Sequence, residues 1–248
     1  MKLKGKTVLI TGAAKRIGRA LALDCAKQGA DLIIHYNRAA PDARRLQREA
    51  GIFGSKVTLI QADFSKRPTE AMIRRMVQKI YAQVRHIDVL INNASAFLSI
   101  PFGKVRERDW ETLMTVNLKV PFFLSQMIGE RMKKRGSGKI INFVDHMMVR
   151  PPASFLAHAI SKGGLQTATI GLARALAPEV QVNSILPGPI LPPPWGMSAK
   201  QKKSVADQTL LKRFGTPEDL AAAVRFLIEG TDYATGVMLP VDGGISIA

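Results

Sequence analysis

The sequence predicts an α/β protein: a doubly wound parallel sheet of about seven strands, with helices on both faces in three α/β/α layers. Three observations predict this class. Short apolar runs alternate with stretches of helical periodicity along all 248 residues. The chain opens with an apolar run, a glycine turn and a helix. Polar residues then follow the apolar runs at the points where the strands should end, as in open parallel sheets that bind ligands.

The first unit, Lys6–Gln28, has the pattern of a phosphate-binding turn. An apolar run, Val8–Ile10, is followed by a turn at Gly12, and helical spacing begins near Lys15. A helix in this position presents unpaired N–H groups and a positive dipole end to one point, which suits a phosphate. Gly12 allows the tight turn and Gly18 allows the helix to pack on the sheet. The full G-x-G-x-x-G pattern is absent, so the turn alone is a moderate signal.

The remaining elements follow in order along the chain. The second strand ends near residues 35–38, and further strands are predicted over 56–61, 87–92, 139–144, 180–186 and within 234–244. Helices are predicted over 41–50, 69–84, 109–114, 116–132 and 154–177, and from Thr216 onward. Thr216 is a predicted N-cap because Pro217 and two acidic residues follow it in the first turn.

The chain shows no linker, repeat or boundary, so residues 1–248 are predicted to form one domain. The segment 188–213 is first proline-rich and then polar and basic, and we expect it to form a substrate loop or lid. The chain has no signal-peptide pattern and no apolar run long enough to cross a bilayer. Its one cysteine, Cys25, cannot form an internal disulfide and is best interpreted as a small buried hydrophobic residue. These features predict a cytoplasmic protein.

The formal net charge of +17 is high for 248 residues. It is explained either by a solvated basic surface or by attraction of an anionic ligand or polymer. The basic clusters at 131–135 and 200–203 are short, and no aromatic residues for base stacking lie among them. No zinc-finger, basic-zipper or RNA-binding signature is present. The sequence therefore argues against nucleic-acid binding and does not account for the charge.

Polar side chains follow the predicted strands. They are Thr11, Arg38, Asp63, Asn92, Asn93, Asp145 and Asn183. Because the carboxyl ends of parallel strands meet at one edge of a sheet, we expect these side chains to surround a single cleft.

Several motifs together resemble the short-chain dehydrogenase/reductase family over essentially the whole chain. They are TGAAKRIG at 11–18, NNAS at 92–95, Asn117, the pair His158 and Lys162, PG at 187–188 and VDGG at 241–244. Within that family the chain looks most like the pteridine reductases. TGAAKRIG, HYNR at 35–38, FVD at 143–145 and the segment PGPILPP carry that closer resemblance. The resemblance implies a single Rossmann-like domain that binds NADP, and it implies no metal.

The resemblance also implies which residues bind the cofactor. Gly12, Arg16 and Ile17 match the turn over the pyrophosphate, and Asp63 and Phe64 match the pair beside the adenine. Asn93, Ala94 and Ser95 match the segment along the ribose, and Pro187, Gly188 and Ile190 match the strip beside the nicotinamide.

The end of the second strand indicates NADPH rather than NADH. An acidic residue there would bind the ribose 2′-hydroxyl and repel a 2′-phosphate. This chain instead has His35, Tyr36, Asn37 and Arg38. Arg38, with His35 as a further candidate, can pair with a phosphate. The alternative is that Arg38 is an ordinary solvated arginine.

The catalytic positions depart from the family pattern in one place. The family has a Tyr four residues before its Lys, so that both face one cleft. Lys162 occupies the Lys position, but His158 replaces the Tyr, and Asp145 replaces the usual Ser, as in pteridine reductases. Imidazole can exchange a proton near neutral pH, although its side chain is shorter than that of tyrosine. We hypothesise that Asp145 is the main proton-transfer residue and that His158 assists it. The alternative is that His158 only fills space in a site that has lost its chemistry.

Asn117 lies four residues before Pro121, which has no N–H to bond the Asn117 carbonyl. A kink with a free carbonyl is therefore expected there. By resemblance, Asn117 would hold a water of the family's proton relay. The alternative is an ordinary proline kink.

The predicted substrate pocket is aromatic and apolar around a polar centre. Its candidate residues are Arg16, Phe97, Asp145, Met147, His158, Leu191 and Trp195. By resemblance, Phe97 would stack a flat substrate against the nicotinamide, and such stacking suits a planar heterocycle. The sequence thus predicts an NADPH-dependent reductase of a pterin- or dihydrofolate-like heterocycle or a carbonyl, assembled as a homotetramer or homodimer. The alternative is a regulatory or scaffolding protein that binds NADPH or a pterin without turnover.

Overall fold

The structure is a computed structural model that describes residues 1–66 and 68–248. Its centre is one seven-stranded sheet in which every pairing is parallel. The strands are β1 (Thr7–Ile10), β2 (Asp31–Tyr36), β3 (Val57–Gln61), β4 (Val89–Asn92), β5 (Gly138–Phe143), β6 (Val180–Pro187) and β7 (Met238–Val241). Their order across the sheet is β3-β2-β1-β4-β5-β6-β7. The predicted doubly wound α/β class is confirmed.

Helices connect the strands and cover both faces of the sheet. They are α1 (Arg16–Lys27), α2 (Ala40–Gly51), α3 (Glu70–Tyr81), α4 (Glu107–Met114), α5 (Val120–Arg135), α6 (Leu156–Leu176), α7 (Ala199–Asp207) and α8 (Pro217–Arg225). Short turns of 3₁₀ helix lie at Phe64–Lys66, His146–Met148 and Ala153–Phe155, and π-helical turns at Thr115–Lys119 and Phe226–Gly230.

The hydrophobic core has two main layers, one on each face of the sheet. Successive strand residues point to opposite faces, so Val8 and Ile10 pack with α1, α2 and α8, whereas Leu9 packs with α3 and α5. All four residues of β4 are buried. Each large aliphatic side chain buried in this way contributes about 1.5–3 kcal/mol. The sheet is therefore a rigid base for the loops at its edges.

The strand order reverses beside β1. Along the chain, β2 and β3 are added on one side of β1, and β4 and the later strands are added on the other side. Ile10 pairs in register with Ile91, so the loops after β1 and β4 leave the sheet side by side. In an open parallel sheet, ligands bind outside the carboxyl ends of the strands at such a reversal point. The fold thus predicts where the functional site lies.

Two local features differ from the predictions, and a third adds to them. Asn183 lies within β6, where its side chain bonds Ala234 O and Val237 N, and it does not reach the cleft. The expected kink at Pro121 is a π-helical turn, which continues into α5 with the proline in the first turn of that helix. The basic part of the expected lid contains the helix α7, which Ser198 caps in a reciprocal pair with Gln201.

Across residues 1–66 and 68–248, every helix is too short or too polar to span a bilayer.

Candidate active site

A cavity of about 1230 Å³ opens along the carboxyl ends of the strands. It contains most of the residues that the sequence predicts for the site. They are Gly12, Arg16, Ile17, His35, Asn37, Phe64, Asn93, Ala94, Ser95, Phe97, Asp145, Met147, Pro187, Gly188, Ile190, Leu191 and Trp195. Tyr36 and Arg38 line an adjoining cavity of about 520 Å³, together with Asn37. Asp63, Asn117, His158 and Lys162 are not part of either lining, and the contacts of each are given below.

The turn after β1 leaves room for a ligand and almost none for added side chains. Gly12 has a φ of 65°, and Arg16, where α1 begins, has a φ of 54°. A Cβ on Gly18 would lie 2.4 Å from the Gly12 carbonyl oxygen. The N–H groups at the start of α1 therefore lie beside a small, tightly built turn, which is the arrangement that binds phosphate.

The turn is held in place by the residues after β4. The Thr11 hydroxyl oxygen accepts hydrogen bonds from the N–H groups of Asn93 and Ala94, both at 3.0 Å. The Asn93 amide donates to the carbonyls of Thr11 at 2.9 Å and Gly12 at 3.1 Å. These four bonds join the two loops at the reversal point, so the predicted ribose segment and the predicted phosphate turn form one unit.

His35 does not occupy the position expected of a phosphate partner. It is 3% exposed and stacks on Phe64 with ring centroids 4.0 Å apart. Its Nδ1 accepts from the Gly12 N–H at 3.1 Å, and its Nε2–H donates to Ala62 O at 3.0 Å. Burial lowers the pKa of His35 to about 4, against the smaller effect of the Ala62 bond. A neutral, fully bonded ring cannot pair with a 2′-phosphate, so His35 supports the phosphate turn from beneath.

Cations do border the adjoining cavity. Arg38 has an 85% exposed side chain, and its guanidinium lies 4.0 Å from Asp63. Asp63 is held by the Asn37 amide at 2.9 Å and by Ser65. Lys15 lines the same cavity and pairs with Asp42 at 3.0 Å. Arg38 and Lys15 therefore offer two exposed cations to an anionic group beside the phosphate turn.

The polar centre of the cleft is one carboxylate between two imidazoles. Asp145 follows β5; its Oδ2 lies 3.2 Å from Nε2 of His158, and its Oδ1 lies 3.2 Å from Nδ1 of His146. Asp145 Oδ1 also accepts from the Met147 N–H at 2.9 Å, which caps the 3₁₀ turn. Burial alone would raise the pKa of Asp145, but the bonds from His146 and His158 outweigh it and hold that pKa well below its usual range. Asp145 is accordingly a carboxylate at neutral pH.

The His158 ring is buried inside the protein. It is 1% exposed, and its Nδ1 lies 3.2 Å from Ala96 O and 3.4 Å from the Asn117 amide. Asn117 is itself fully buried and uses its side chain: Oδ1 accepts from the Ala96 N–H, and Nδ2 donates to Ala96 O and Ser161 Oγ. Asn117 therefore positions the loop after β4 and the ring of His158 through its amide group.

Lys162 lies one turn after His158 and is also buried. Its Nζ donates to the Phe143 carbonyl at 2.7 Å. Burial lowers the pKa of Lys162 to about 8, while the charge of Asp145 acts in the opposite direction. A lysine near its titration range beside the cleft can donate hydrogen bonds to a ligand hydroxyl and influence nearby protons.

Aromatic rings form one wall of the cavity. Phe97 stacks with Trp195 at 5.7 Å and an interplanar angle of 7°, and with Phe155 at 4.9 Å. Its edge contact with His158 has centroids 5.0 Å apart. The Arg16 guanidinium donates to the Pro192 carbonyl at 2.6 Å and ties the proline-rich loop to the phosphate turn. The wall offers flat apolar faces next to the carboxylate–imidazole centre.

The cleft also contains residues that were not among the predicted site residues, among them Lys15, His146 and Phe155, and Arg16 bonds the Pro192 carbonyl. Lys15 carried a signal in the sequence, because it lies inside the phosphate turn itself. The positions of His146, Phe155 and Pro192 depend on loop conformation, for which the sequence pattern carries no signal.

Comparisons with known proteins agree with this arrangement. A family model described as "Enoyl-(Acyl carrier protein) reductase" matches residues 12–246. The 3-oxoacyl-(acyl-carrier-protein) reductase FabG of Thermotoga maritima is 32% identical over 250 residues, and the match covers 100% of both chains. The uncharacterized oxidoreductase YohF of Escherichia coli is 32% identical over 98% of this chain and 96% of its own. The chain belongs to the short-chain dehydrogenase/reductase family.

Solved structures of family members superpose closely on this one. A blue fluorescent protein from a metagenomic library, crystallised with NADPH, has a TM-score of 0.90 and 33% identity, and the match covers 99% of each chain. FolM alternative dihydrofolate reductase 1 from Brucella canis, crystallised with NADP, has a TM-score of 0.91 and 29% identity over 100% of this chain and 96% of its own. As a short-chain dehydrogenase/reductase, this chain thus belongs to a group of oxidoreductases, and two of its structural relatives were crystallised with NADPH or NADP.

Proposed function

We propose that this protein is an NADPH-dependent reductase of a planar heterocycle of the pterin or dihydrofolate type, or of a carbonyl compound. The observation that carries the proposal is the position of Asp145. Its carboxylate lines the same cavity as the phosphate turn and the face of Phe97, and it bonds to His158. A cofactor turn, a flat binding wall and a group of titratable side chains therefore converge on one space.

The residues present fit a phosphorylated dinucleotide. Gly12 and Gly18 let the turn pack closely, since an added Cβ would lie 2.9 Å from Ala94 or 2.4 Å from the Gly12 carbonyl oxygen, and this turn leads into the N-terminus of α1, which suits a phosphate. Arg38 and Lys15 are the residues that would hold a 2′-phosphate, and Ile190 with Pro187 and Gly188 would border the nicotinamide. When bound, this cofactor supplies the hydride.

The state of Asp145 changes the division of roles expected from the sequence. From the sequence, Asp145 is expected to transfer the proton and His158 to assist it. A carboxylate with a strongly lowered pKa is a poor proton donor at neutral pH but a strong acceptor for imidazolium groups. We therefore propose that Asp145 orients the two histidines and accepts their hydrogen bonds, so that the proton comes from imidazole rather than from Asp145, while Lys162 and Asn117 position the cofactor ribose and His158.

Two features support the heterocycle as substrate. Phe97 lines the cavity as part of an aromatic wall with Trp195 and Phe155, and one structural relative is described as an alternative dihydrofolate reductase. The relatives described as 3-oxoacyl-(acyl-carrier-protein) reductases support carbonyl reduction instead. The two substrate classes share the hydride and proton steps and differ in what the aromatic wall must bind.

The first experiment measures NADPH oxidation with 7,8-dihydropterin, dihydrofolate and a 3-oxoacyl thioester, for the wild type beside His158→Tyr. Turnover of the first two by the wild type supports the heterocycle, and turnover of the thioester alone supports carbonyl reduction. A silent wild type with an active His158→Tyr variant would show that the natural protein has given up this chemistry. Binding is followed separately by the change in NADPH fluorescence, so that loss of turnover is distinguished from loss of cofactor.

A second candidate function is NADPH binding without turnover, and the burial of His158 favours it. The ring that replaces the family's tyrosine is 1% exposed and does not line the cavity. One structural relative is described as a blue fluorescent protein in complex with NADPH. If NADPH fluorescence rises on binding while no tested substrate is consumed by the wild type or by His158→Tyr, this function replaces the first.

We further propose a homotetramer or homodimer. Phe122, Ile160 and Ile170 are exposed on α5 and α6, and apolar side chains on neighbouring helices suit burial against a second copy. Light scattering of the purified protein tests the assembly, and a monomer at micromolar concentration would refute it.

A further inference from the structure

We propose that His146 is the catalytic acid that delivers the proton to the substrate, with Asp145 and His158 as its positioning residues. The inference rests on the reductase function proposed above and names the group that completes it. It follows from which imidazole nitrogen of the central cluster is free and which ring lines the cavity.

The hydrogen bonds of His146 leave one ring nitrogen available. Nδ1 lies 3.2 Å from Asp145 Oδ1 and 3.2 Å from the Pro187 carbonyl oxygen. Both partners are acceptors, so Nδ1 carries a hydrogen in either protonation state. Across the described residues, no hydrogen bond engages Nε2 of His146, and the residue lines the main cavity. An Asp that orients Nδ1 and leaves Nε2 to exchange a proton is the logic of known acid–base dyads.

His158 has the opposite properties. Its Nε2 is bound to Asp145 and its Nδ1 lies against the Ala96 carbonyl, so neither nitrogen is free for a substrate. The ring does not line the cavity. A proton on His158 would have to pass through the Asp145 carboxylate before it reached the cleft. His146 is on the accessible side of that same carboxylate.

The charges around His146 favour its imidazolium form. Asp145 faces it from its own loop, Asp242 from the loop after β7, and His158 and Lys162 lie behind Asp145 on α6. Burial acts to lower the pKa of His146, but the bond to Asp145 and the charges of Asp145 and Asp242 raise it above its ordinary value. A donor whose pKa lies near the working pH is well suited to general acid catalysis.

The proposed step is balanced. The substrate carbon of a C=N or C=O bond accepts the hydride, with its two electrons, and the π pair moves to the nitrogen or oxygen. That atom takes the proton from Nε2 of His146, which becomes neutral, and a C–H bond and an N–H or O–H bond have formed. The Nε2 nitrogen then regains a proton from water in the open cleft. Asp145 keeps its negative charge throughout.

The test replaces His146 by Asn, whose side-chain amide can still donate a hydrogen bond to Asp145 and the Pro187 carbonyl but cannot act as a general acid. We expect the turnover rate with 7,8-dihydropterin to fall about 10²–10⁴-fold, the range typical of a lost general acid, with NADPH affinity unchanged. The fall in rate as the pH rises through the pKa of His146 should disappear from the variant. Added imidazole should partly restore the rate of His146→Ala. His86→Asn is the matched control, because His86 precedes β4 at the opposite edge of the sheet, paired with Asp88.

Two further results would overturn the inference. One is wild-type turnover together with an equally active His146→Asn variant that keeps the same pH profile. The other comes from nitrogen-15 NMR of the wild type, which reports the tautomer whether or not a substrate is turned over. A neutral His146 with its hydrogen on Nε2 at pH 7 would contradict the proposed donor. If no probe is turned over but NMR finds an imidazolium with protonated Nδ1, the substrate proposal fails, while the proposed charge and hydrogen positions of His146 are supported.

Discussion

Acidification should weaken the phosphate turn through His35. The neutral ring accepts the Gly12 N–H and stacks on Phe64, and burial holds its pKa at about 4. In the unfolded chain the same side chain titrates near its reference value of ~6.5. The unfolded state therefore binds the proton first as the pH falls, so stability is lost from about pH 6.5 downward until the folded ring also becomes protonated.

The size of the effect follows from the two pKa values. Between pH 7 and pH 5, the linkage relation gives a loss of about 2 kcal/mol in the free energy of unfolding from this residue alone. His146 acts in the opposite direction, because its pKa is raised in the folded protein. Its contribution is fully present below the unfolded pKa and is lost as the pH rises through the folded one. A wild-type pH profile therefore mixes the two, and a variant is needed to separate them.

The assay is urea unfolding of the wild type and His35→Gln at pH 7 and pH 5, at one protein concentration. At pH 7 the variant should be less stable by about 1–3 kcal/mol, because the buried Gly12 N–H and the Phe64 face lose their partner. At pH 5 the difference in the free energy of unfolding between wild type and variant should be smaller by about 2 kcal/mol, because the variant has no histidine at this position that binds a proton preferentially in the unfolded state. His86→Gln, at a more exposed histidine outside the cavity, is the matched control. A difference that stays constant between pH 7 and pH 5 for His35→Gln would refute the assignment of a buried neutral ring.

Two more predictions concern cofactor binding. In Gly18→Ala the new Cβ would lie 2.4 Å from Gly12 O and 2.7 Å from the Asn93 amide, so we expect a stability loss of about 1–3 kcal/mol and a large fall in NADPH affinity. The control Gly163→Ala, in open space on α6, should keep both its stability and its NADPH affinity. Calorimetry and NADPH titration measure the two effects, and an unchanged NADPH affinity of Gly18→Ala would exclude the turn as the phosphate site. Arg38→Glu should weaken NADPH binding about 10–100-fold, which is the contribution of a hydrogen bond to a charged group, and leave NADH binding unchanged. The control is Arg44→Glu, a substitution at an exposed position on α2. An equal loss of affinity for NADPH and NADH in Arg38→Glu would contradict a 2′-phosphate contact.

The fold could be predicted from the sequence because parallel strands covered on both faces require continuous apolar runs. Val8–Ile10 and Val89–Ile91 are such runs, and each lies within an observed strand that is one residue longer. The position of the cleft followed from the same pattern, since strand ends in a parallel sheet share one edge. Asn183 shows the limit of that reasoning. A polar residue inside an apolar run predicts a strand end, but Asn183 lies within β6, where its buried side chain bonds Ala234 O and Val237 N in the segment before β7.

The direction of single side chains was harder to predict. His35 to Arg38 form one polar group in the sequence, but alternation along β2 places His35 on the same face as Ile33, in the core that contains Phe64. That period of two was available in the sequence, so the burial of His35 was predictable in principle. The helix α7 was also predictable, because Ser198 and Gln201 form a capping-box pattern.

His146 could not be found in the same way. Adjacent residues of a strand point to opposite faces, so two neighbours such as Asp145 and His146 are not expected to meet. They meet here because the chain leaves β5 after Phe143 and turns into a 3₁₀ helix at His146. Asp145 caps that turn through the Met147 N–H, and the ring of His146 folds back onto its neighbour. The contact depends on loop conformation, for which the sequence pattern carries no signal.

The resemblance implies that His158 stands where the family has a tyrosine, and we propose that this replacement is connected physically with the presence of Asp145. A phenol at position 158 would extend farther toward the cleft than an imidazole, and a carboxylate beside it would oppose formation of the phenolate. The imidazole at that position forms a hydrogen bond with the same carboxylate and lies buried behind it, in edge contact with Phe97. Asp145 is then shared between a buried ring and one that lines the cavity. On the proposed role of His146, the acid lies in the turn after β5, whereas the family resemblance would place it on α6.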